Sequence, residues 1–250
     1  MALDLSQYTR NEAHRDLPLC KKFFYANELT PDTDIYGTGF FIDEDKVLTA
    51  AHVLEAAYFE GVSPNDLMFI RGLIGWSSEM DKIEVYEDQL YVLDEPGIII
   101  SDQMRYGNQR GDMAWIKVKP LYKGKTYPLV HNGASPAPLM KPTQAVYALG
   151  HGLGVPMKLS YNGKIQDATY NDSLALFTCD MSVLPGSSGS PIFDSNSHKL
   201  VGIISGLHEI YTEADIGERC ANLNIDMNGV FSGVATYIDP FRSRIKQTHL

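Results

Sequence analysis

The chain has 250 residues, 44% of them hydrophobic and 21% charged, with a formal net charge of −10. That length closes one large β domain or two barrels of about 100 residues each, and the composition excludes a disordered or fibrous chain. The acidic balance argues against nucleic acid or an anionic membrane as a main partner, and serves solubility more commonly than substrate choice.

The first ten residues, Met1 to Arg10, lack a charged segment followed by an apolar run, so no signal peptide is expected. The longest apolar stretches, such as Gly97-Ile98-Ile99-Ile100, are too short to span a bilayer. Cys20, Cys179 and Cys220 are too few and too scattered for a disulfide framework. A reducing, cytoplasmic compartment is the simpler expectation, with a secreted mature form as the alternative.

In chain order, short runs rich in Val, Ile, Tyr and Phe are separated by Gly, Pro, Asn and Asp, the pattern of an all-β protein. Lys22 to Tyr25 reads as a strand. Gly37 to Ile42 and Lys46 to Thr49 read as a hairpin with Asp43-Glu44-Asp45 as its turn. The helix formers Val53 to Ala57 predict a short helical turn after His52, and Met113 to Val118 predicts the next strand. The Pro-rich stretch Ser135 to Pro138, with Lys141-Pro142 after it, marks the crossing between two halves. Ala145 to Leu149 and Leu200 to Ile204 are further strands, and Cys179 reads as a small buried hydrophobe in another. A C-terminal helix is predicted, with Asp239 as N-cap, Pro240 in the first position, and Phe241 and Ile245 on one face.

Gly186-Ser187-Ser188-Gly189-Ser190-Pro191 is the most informative string. Acyl transfer needs a serine hydroxyl exposed on a tight turn, with backbone N–H groups aimed at the carbonyl oxygen under attack. Flanking glycines allow the turn, and the Gly186 and Ser188 amides are candidate oxyanion-hole donors. Alone, such a Ser/Gly run is as often a plain loop. Thr49-Ala50-Ala51-His52 adds a histidine held between a strand and a helical turn, as a general base must be. Gly111-Asp112-Met113-Ala114 adds an acid just ahead of an apolar strand, where it can be drawn against an imidazole.

Together, in the order His, Asp, Ser, these strings resemble the three signature segments of the trypsin/chymotrypsin-like serine peptidase superfamily. The Ser-Gly-Ser-Pro ending is most similar to the bacterial glutamyl-endopeptidase branch. Ala148 to Lys158, Ser187 to Phe193 and Val201 to Gly206 resemble segments of bacterial trypsin-like peptidase-domain proteins. The resemblance covers roughly residues 20 to 245, leaving little room for an added domain. It implies two six-stranded antiparallel β-barrels with a short C-terminal α-helix: residues 1–20 as an N-terminal extension, 21–125 as the first barrel with His52 and Asp112, 126–238 as the second with Ser188, and 239–250 as the helix.

By that resemblance Ser188 is the nucleophile, His52 the base and Asp112 the group that orients it. The strand Ile204-Ser205-Gly206-Leu207 pairs with the substrate backbone. Met181, Ser182 and Val183, with Ser205 and Gly206 opposite, wall the specificity pocket. None is an acid, and glutamate-specific relatives carry a histidine where Ile204 stands, so a small or medium apolar side chain is expected there. The implied function is a serine endopeptidase cleaving a limited set of protein partners. The alternative is an inactive or latent homologue that binds proteins through the cleft. No cofactor is expected, and because no second histidine joins His52 and Glu55 in a zinc motif, no metal either.

The pattern also departs from the family. Digestive relatives are activated when a newly cut N-terminus pairs with an aspartate beside the nucleophile; here that neighbour is Ser187. Two expectations follow, constitutive competence or restraint by a regulatory partner or by residues 1–20. His151 and His208 are expected as loop histidines, with a place in or beside the cleft as the lesser alternative.

Overall fold

The computed structural model describes residues 37–59, 61–62, 66–72, 85–100, 112–123, 141–152, 157–171, 176–181, 183, 186–207, 211–215, 220–224 and 232–237, with short strands at 2–3, 8–10, 12–14, 17–18 and 29–31. Two antiparallel sheets dominate these residues.

The first begins as the expected hairpin. β1 (Gly39–Asp43) and β2 (Lys46–Thr49) turn at Glu44-Asp45. The Asp43 carboxylate accepts the Glu44 N–H at 2.8 Å and faces Lys46 Nζ at 3.3 Å, so the turn is closed by its own side chains. α1 (Ala51–Phe59) follows, then β3 (Met68–Ile70), β4 (Leu90–Ile100) and β5 (Ala114–Pro120), giving the sheet order β1-β2-β5-β4-β3. β5 shows why the pattern reads as a strand. Ala114, Ile116 and Val118 are buried while Lys117 and Lys119 alternate outward, both within 3.4 Å of Asp94 on β4.

The second sheet closes. β6 (Ala145–Gly150), β7 (Lys158–Asn171), β8 (Leu176–Asp180), β9 (Pro191–Asp194), β10 (Leu200–Leu207) and β11 (Ser232–Tyr237) form a barrel in the order β6-β7-β8-β11-β10-β9. Its interior is apolar, with Phe177, Ile165 and Ile192 almost wholly buried. Cys179 on β8 is 0% exposed, and burial, helped by the charge of Asp180, pushes its thiol up to about 12. A separate apolar cluster joins the two sheets: Ile42, Leu48, Ala50, Val53 and Met113 pack with Leu200 and Ile203 of β10.

The all-β, two-sheet chymotrypsin-like architecture is thus present, and the second barrel has its six strands. The first sheet has five strands among the described residues where six are expected. The expected strand Lys22 to Tyr25, the Pro-rich crossing and the C-terminal helix at 239–250 lie outside the described residues. Within the segment read as an N-terminal extension, Ala2–Leu3 pairs with Val85–Tyr86 ahead of β4. The helical turn predicted over Val53 to Ala57 is a nine-residue helix, with His52 inside its first turn. Among the described residues no helix is long and apolar enough to cross a membrane.

Candidate active site

Ala50 and Ala51 are 0% exposed, so the chain leaving β2 is fixed in the core before it enters α1. The first N–H groups of a helix have no partner within the helix, and here Asp112 supplies one. Its Oδ1 accepts the backbone N–H of Ala51 and of His52, each at 2.9 Å. A carboxylate at this end also lies favourably in the field of the helix dipole. The other oxygen, Oδ2, stands 2.5 Å from His52 Nδ1. One side chain therefore caps the helix and orients the ring that the helix carries. Met113, next in the chain and 2% exposed, is packed in the apolar cluster between the two sheets.

The other ring nitrogen, Nε2, is 2.8 Å from Ser188 Oγ. An ionised carboxylate can only accept, so Nδ1 carries the imidazole proton and Nε2 is left to accept the serine hydroxyl. Burial lowers the His52 pKa, but the hydrogen bond and charge of Asp112, aided by the charge of Glu55, outweigh it and hold the pKa above the ordinary imidazole value.

Ser188 rides a tight turn. Ser190 N–H donates to the Ser187 carbonyl at 2.9 Å, and Gly186 and Gly189 have φ of +86° and +84°. The turn is joined to β10 by Gly189 N–H to the Ile204 carbonyl at 2.7 Å and Ile204 N–H to the Ser190 carbonyl at 2.9 Å. It is joined to the start of β1 by Thr38 N–H to the Ser188 carbonyl at 2.7 Å. Among the described residues, the Gly186 and Ser188 amides donate to no protein acceptor.

His52, Asp112 and Ser188 thus come together, from residues as far as 136 positions apart. The residues expected to meet substrate are placed less uniformly. Ile204 has its N–H and carbonyl engaged by the nucleophile turn, while β10 runs on through Ser205, Gly206 and Leu207 against β11. Met181 and Val183 are each 2% exposed and pack inside the barrel, so their side chains are core. Ser182 and His208 lie outside the described residues. His151 is half-buried, and its backbone N–H donates to Thr38 Oγ1 at 3.0 Å. Among the described residues no three His, Cys, Asp or Glu side chains gather as a metal site.

Sequence reasoning missed Thr38, which touches Gly186, Ser188, Thr49 and His151. In the sequence it is one small residue between two glycines at the head of a hairpin, and nothing local marks it.

The family model for the trypsin-like peptidase domain matches residues 37–203, a span that holds all three of these side chains. No curated protein matches the chain. Among solved structures it is similar to the Rv3671c protein of M. tuberculosis H37Rv in an inactive form carrying a serine-to-alanine substitution, with 17% identity, TM-score 0.45, and 86% of this chain and 83% of that one covered. It is also similar to the Rv3671c protease in an inactive form, with 20% identity, TM-score 0.45, and 84% and 82% covered.

Proposed function

The chain belongs to the trypsin-like peptidase family, and on that premise we propose that it is a serine endopeptidase working through Ser188, His52 and Asp112. The observation that carries the proposal is the continuous contact from Asp112 Oδ2 to His52 Nδ1 at 2.5 Å and from His52 Nε2 to Ser188 Oγ at 2.8 Å.

In this reading Ser188 Oγ attacks the scissile carbonyl as its proton passes to His52 Nε2. Asp112 stabilises the imidazolium through Nδ1–H without taking the proton. The carbonyl oxygen, now negative, is received by the Gly186 and Ser188 amides; one such donor is worth about 10²- to 10³-fold in turnover. The C–N bond then breaks, His52 returns the proton to the leaving amine, and water hydrolyses the acyl-enzyme by the same relay. Proteins or peptides are the substrates. The extended substrate lies along Ser205 to Leu207, beyond the point where the nucleophile turn engages Ile204. A small or medium apolar side chain precedes the cleaved bond, and the substrates are a limited set of protein partners.

Fluorophosphonate labelling of the purified protein, read by intact mass, tests this. One adduct on the wild type and none on Ser188→Ala is expected. An unlabelled wild type would replace the enzyme with a latent or inactive homologue that binds proteins.

The pH dependence follows from the base. Protonated His52 cannot accept the serine proton, and its pKa is raised. The labelling rate should therefore climb with pH through a midpoint above about 6.5, the usual histidine value. Glu55 contributes to that elevation, so Glu55→Gln should move the midpoint to lower pH without abolishing the reaction. A midpoint that stays in place or moves upward would remove Glu55 from the electrostatics of the site.

A further inference from the structure

Thr38 precedes β1 and is only 5% exposed, yet every polar group it owns is used, and each on a different piece of the site. Its N–H donates to the Ser188 carbonyl at 2.7 Å. Its carbonyl accepts from Thr49 Oγ1, on the strand that leads to His52, also at 2.7 Å. Its hydroxyl donates to the Gly186 carbonyl at 2.9 Å and accepts the His151 N–H at 3.0 Å. A threonine hydroxyl has one hydrogen to give, and here it is committed to Gly186.

We infer that Thr38 is a positioning residue that holds the oxyanion-hole donors in place at rest. The inference rests on the peptidase reading of this site. Gly186 and Ser188 carry the two donor amides, and Thr38 grips the carbonyls of both. Each gripped carbonyl lies in the planar peptide unit that follows the donor amide, and the two planes meet at the Cα of Gly186 or of Ser188. Holding the carbonyl therefore leaves the donor amide only that residue's own φ and ψ in which to turn. Gly186 has no Cβ and a φ of +86°, so on the donor side of this turn the backbone is free to rotate unless something holds it. The neutral side chain of Ser187 offers no charge for an ion pair at this turn, and the Thr38 hydroxyl restrains Gly186 by hydrogen bonding instead. The same residue reaches Thr49, so one side chain and the two peptides that flank it connect the nucleophile turn to the strand behind the base. The loop that carries the hole is thereby formed without a cleavage event.

The test is the rate of fluorophosphonate inactivation for Thr38→Val, Thr38→Ala and Thr38→Ser beside wild type, each checked for cooperative unfolding. Thr38→Val keeps the shape and loses the hydroxyl. Its maximal inactivation rate should fall about 100-fold, the scale of a misplacement of about 1 Å at a reacting centre. The reagent concentration for half-maximal rate should hardly change. Thr38→Ser should retain most of the wild-type rate. The far-downfield proton resonance of His52 Nδ1 should be the same in all, since the contact with Asp112 is untouched.

A folded Thr38→Val that reacts like wild type would overturn the inference alone. So would equal losses in Thr38→Val and Thr38→Ser, or loss of that resonance in Thr38→Val. If Thr38→Val and Thr38→Ala fail to fold while Thr38→Ser folds, the hydroxyl serves assembly and the positioning role is lost. A wild type that takes no adduct would remove the peptidase reading itself, and this one with it.

Discussion

Asp112→Asn is expected to lower turnover by about 10⁴-fold while the protein stays folded. The reason lies in which end of the new amide faces the ring. Oδ1 of Asp112 accepts two backbone N–H groups, from Ala51 and His52. Asparagine can satisfy both only by turning its own oxygen toward them. Its NH₂ then points at His52 Nδ1, where the carboxylate oxygen now stands at 2.5 Å. A donor in that place requires Nδ1 to accept, which moves the imidazole proton to Nε2. A protonated Nε2 cannot take the proton of Ser188, and losses of about 10⁴ accompany the wrong tautomer in such triads. The helix cap survives, so thermal unfolding should change little. The check is the fluorophosphonate rate together with a melting curve. A variant that reacted within about tenfold of wild type would mean that the carboxylate does not set the tautomer.

The second large effect is on stability. Gly189→Ala should lower the melting temperature by about 4–20 °C. At Gly189 a Cβ would lie 2.0 Å from the Thr38 carbonyl oxygen, 2.4 Å from Thr49 Oγ1 and 2.8 Å from the Ala50 nitrogen. Two of these atoms are backbone, and the third is held by its bond to Thr38. None can swing aside cheaply. The positive φ adds about 1–2 kcal/mol for any residue with a Cβ, and overpacking adds typically 1–3 kcal/mol. In a chain of this length each kcal/mol moves the midpoint by about 2–4 °C. Gly61→Ala separates the two contributions, because Gly61 has a φ of +80° and nothing within 4 Å of the added atom. Gly61→Ala should show only the small conformational cost. Equal melting temperatures for the two variants would show that the approach of Thr38, Thr49 and Ala50 to the nucleophile turn is not a tight constraint.

Much of this was legible along the chain because the signals are local. The hairpin turn at Asp43 to Asp45 stands out by its charges, and β5 by alternation of Ala114, Ile116 and Val118 with lysines. The glycines around Ser188 announce a turn that needs positive φ. Three strings brought His52, Asp112 and Ser188 into one hypothesis, and they do meet in space. The rest is not local. Thr38 bonds Gly186 and His151, 148 and 113 positions away, and no window of sequence contains both ends of such a contact. The sequence predicts too short an α1 for a related reason: its cap is Asp112, 61 residues beyond Ala51, so no capping residue precedes the helix. Counting back from Ser188 in the sequence puts Met181 and Val183 on a pocket wall. The barrel instead buries their side chains at 2% exposure each, with Met181 Cγ and Sδ in the space that a Cβ on Gly163 would need.

The place of β11 in the barrel bears on how the molecule comes into being. It is the last of the barrel's strands in the chain, yet it is inserted between β8 and β10. Ile204, whose peptide groups hold the nucleophile turn on one side, faces Ala235 of β11 on the other. During synthesis at about 5–20 residues per second, earlier segments emerge and begin to fold first. His52, Asp112 and Ser188 are therefore all outside the ribosome before the strand that completes the barrel exists. A nascent chain at that stage has the residues of the site without the wall that braces them. The wall behind Ile204 is thus completed only when β11 emerges, after all three residues of the candidate site.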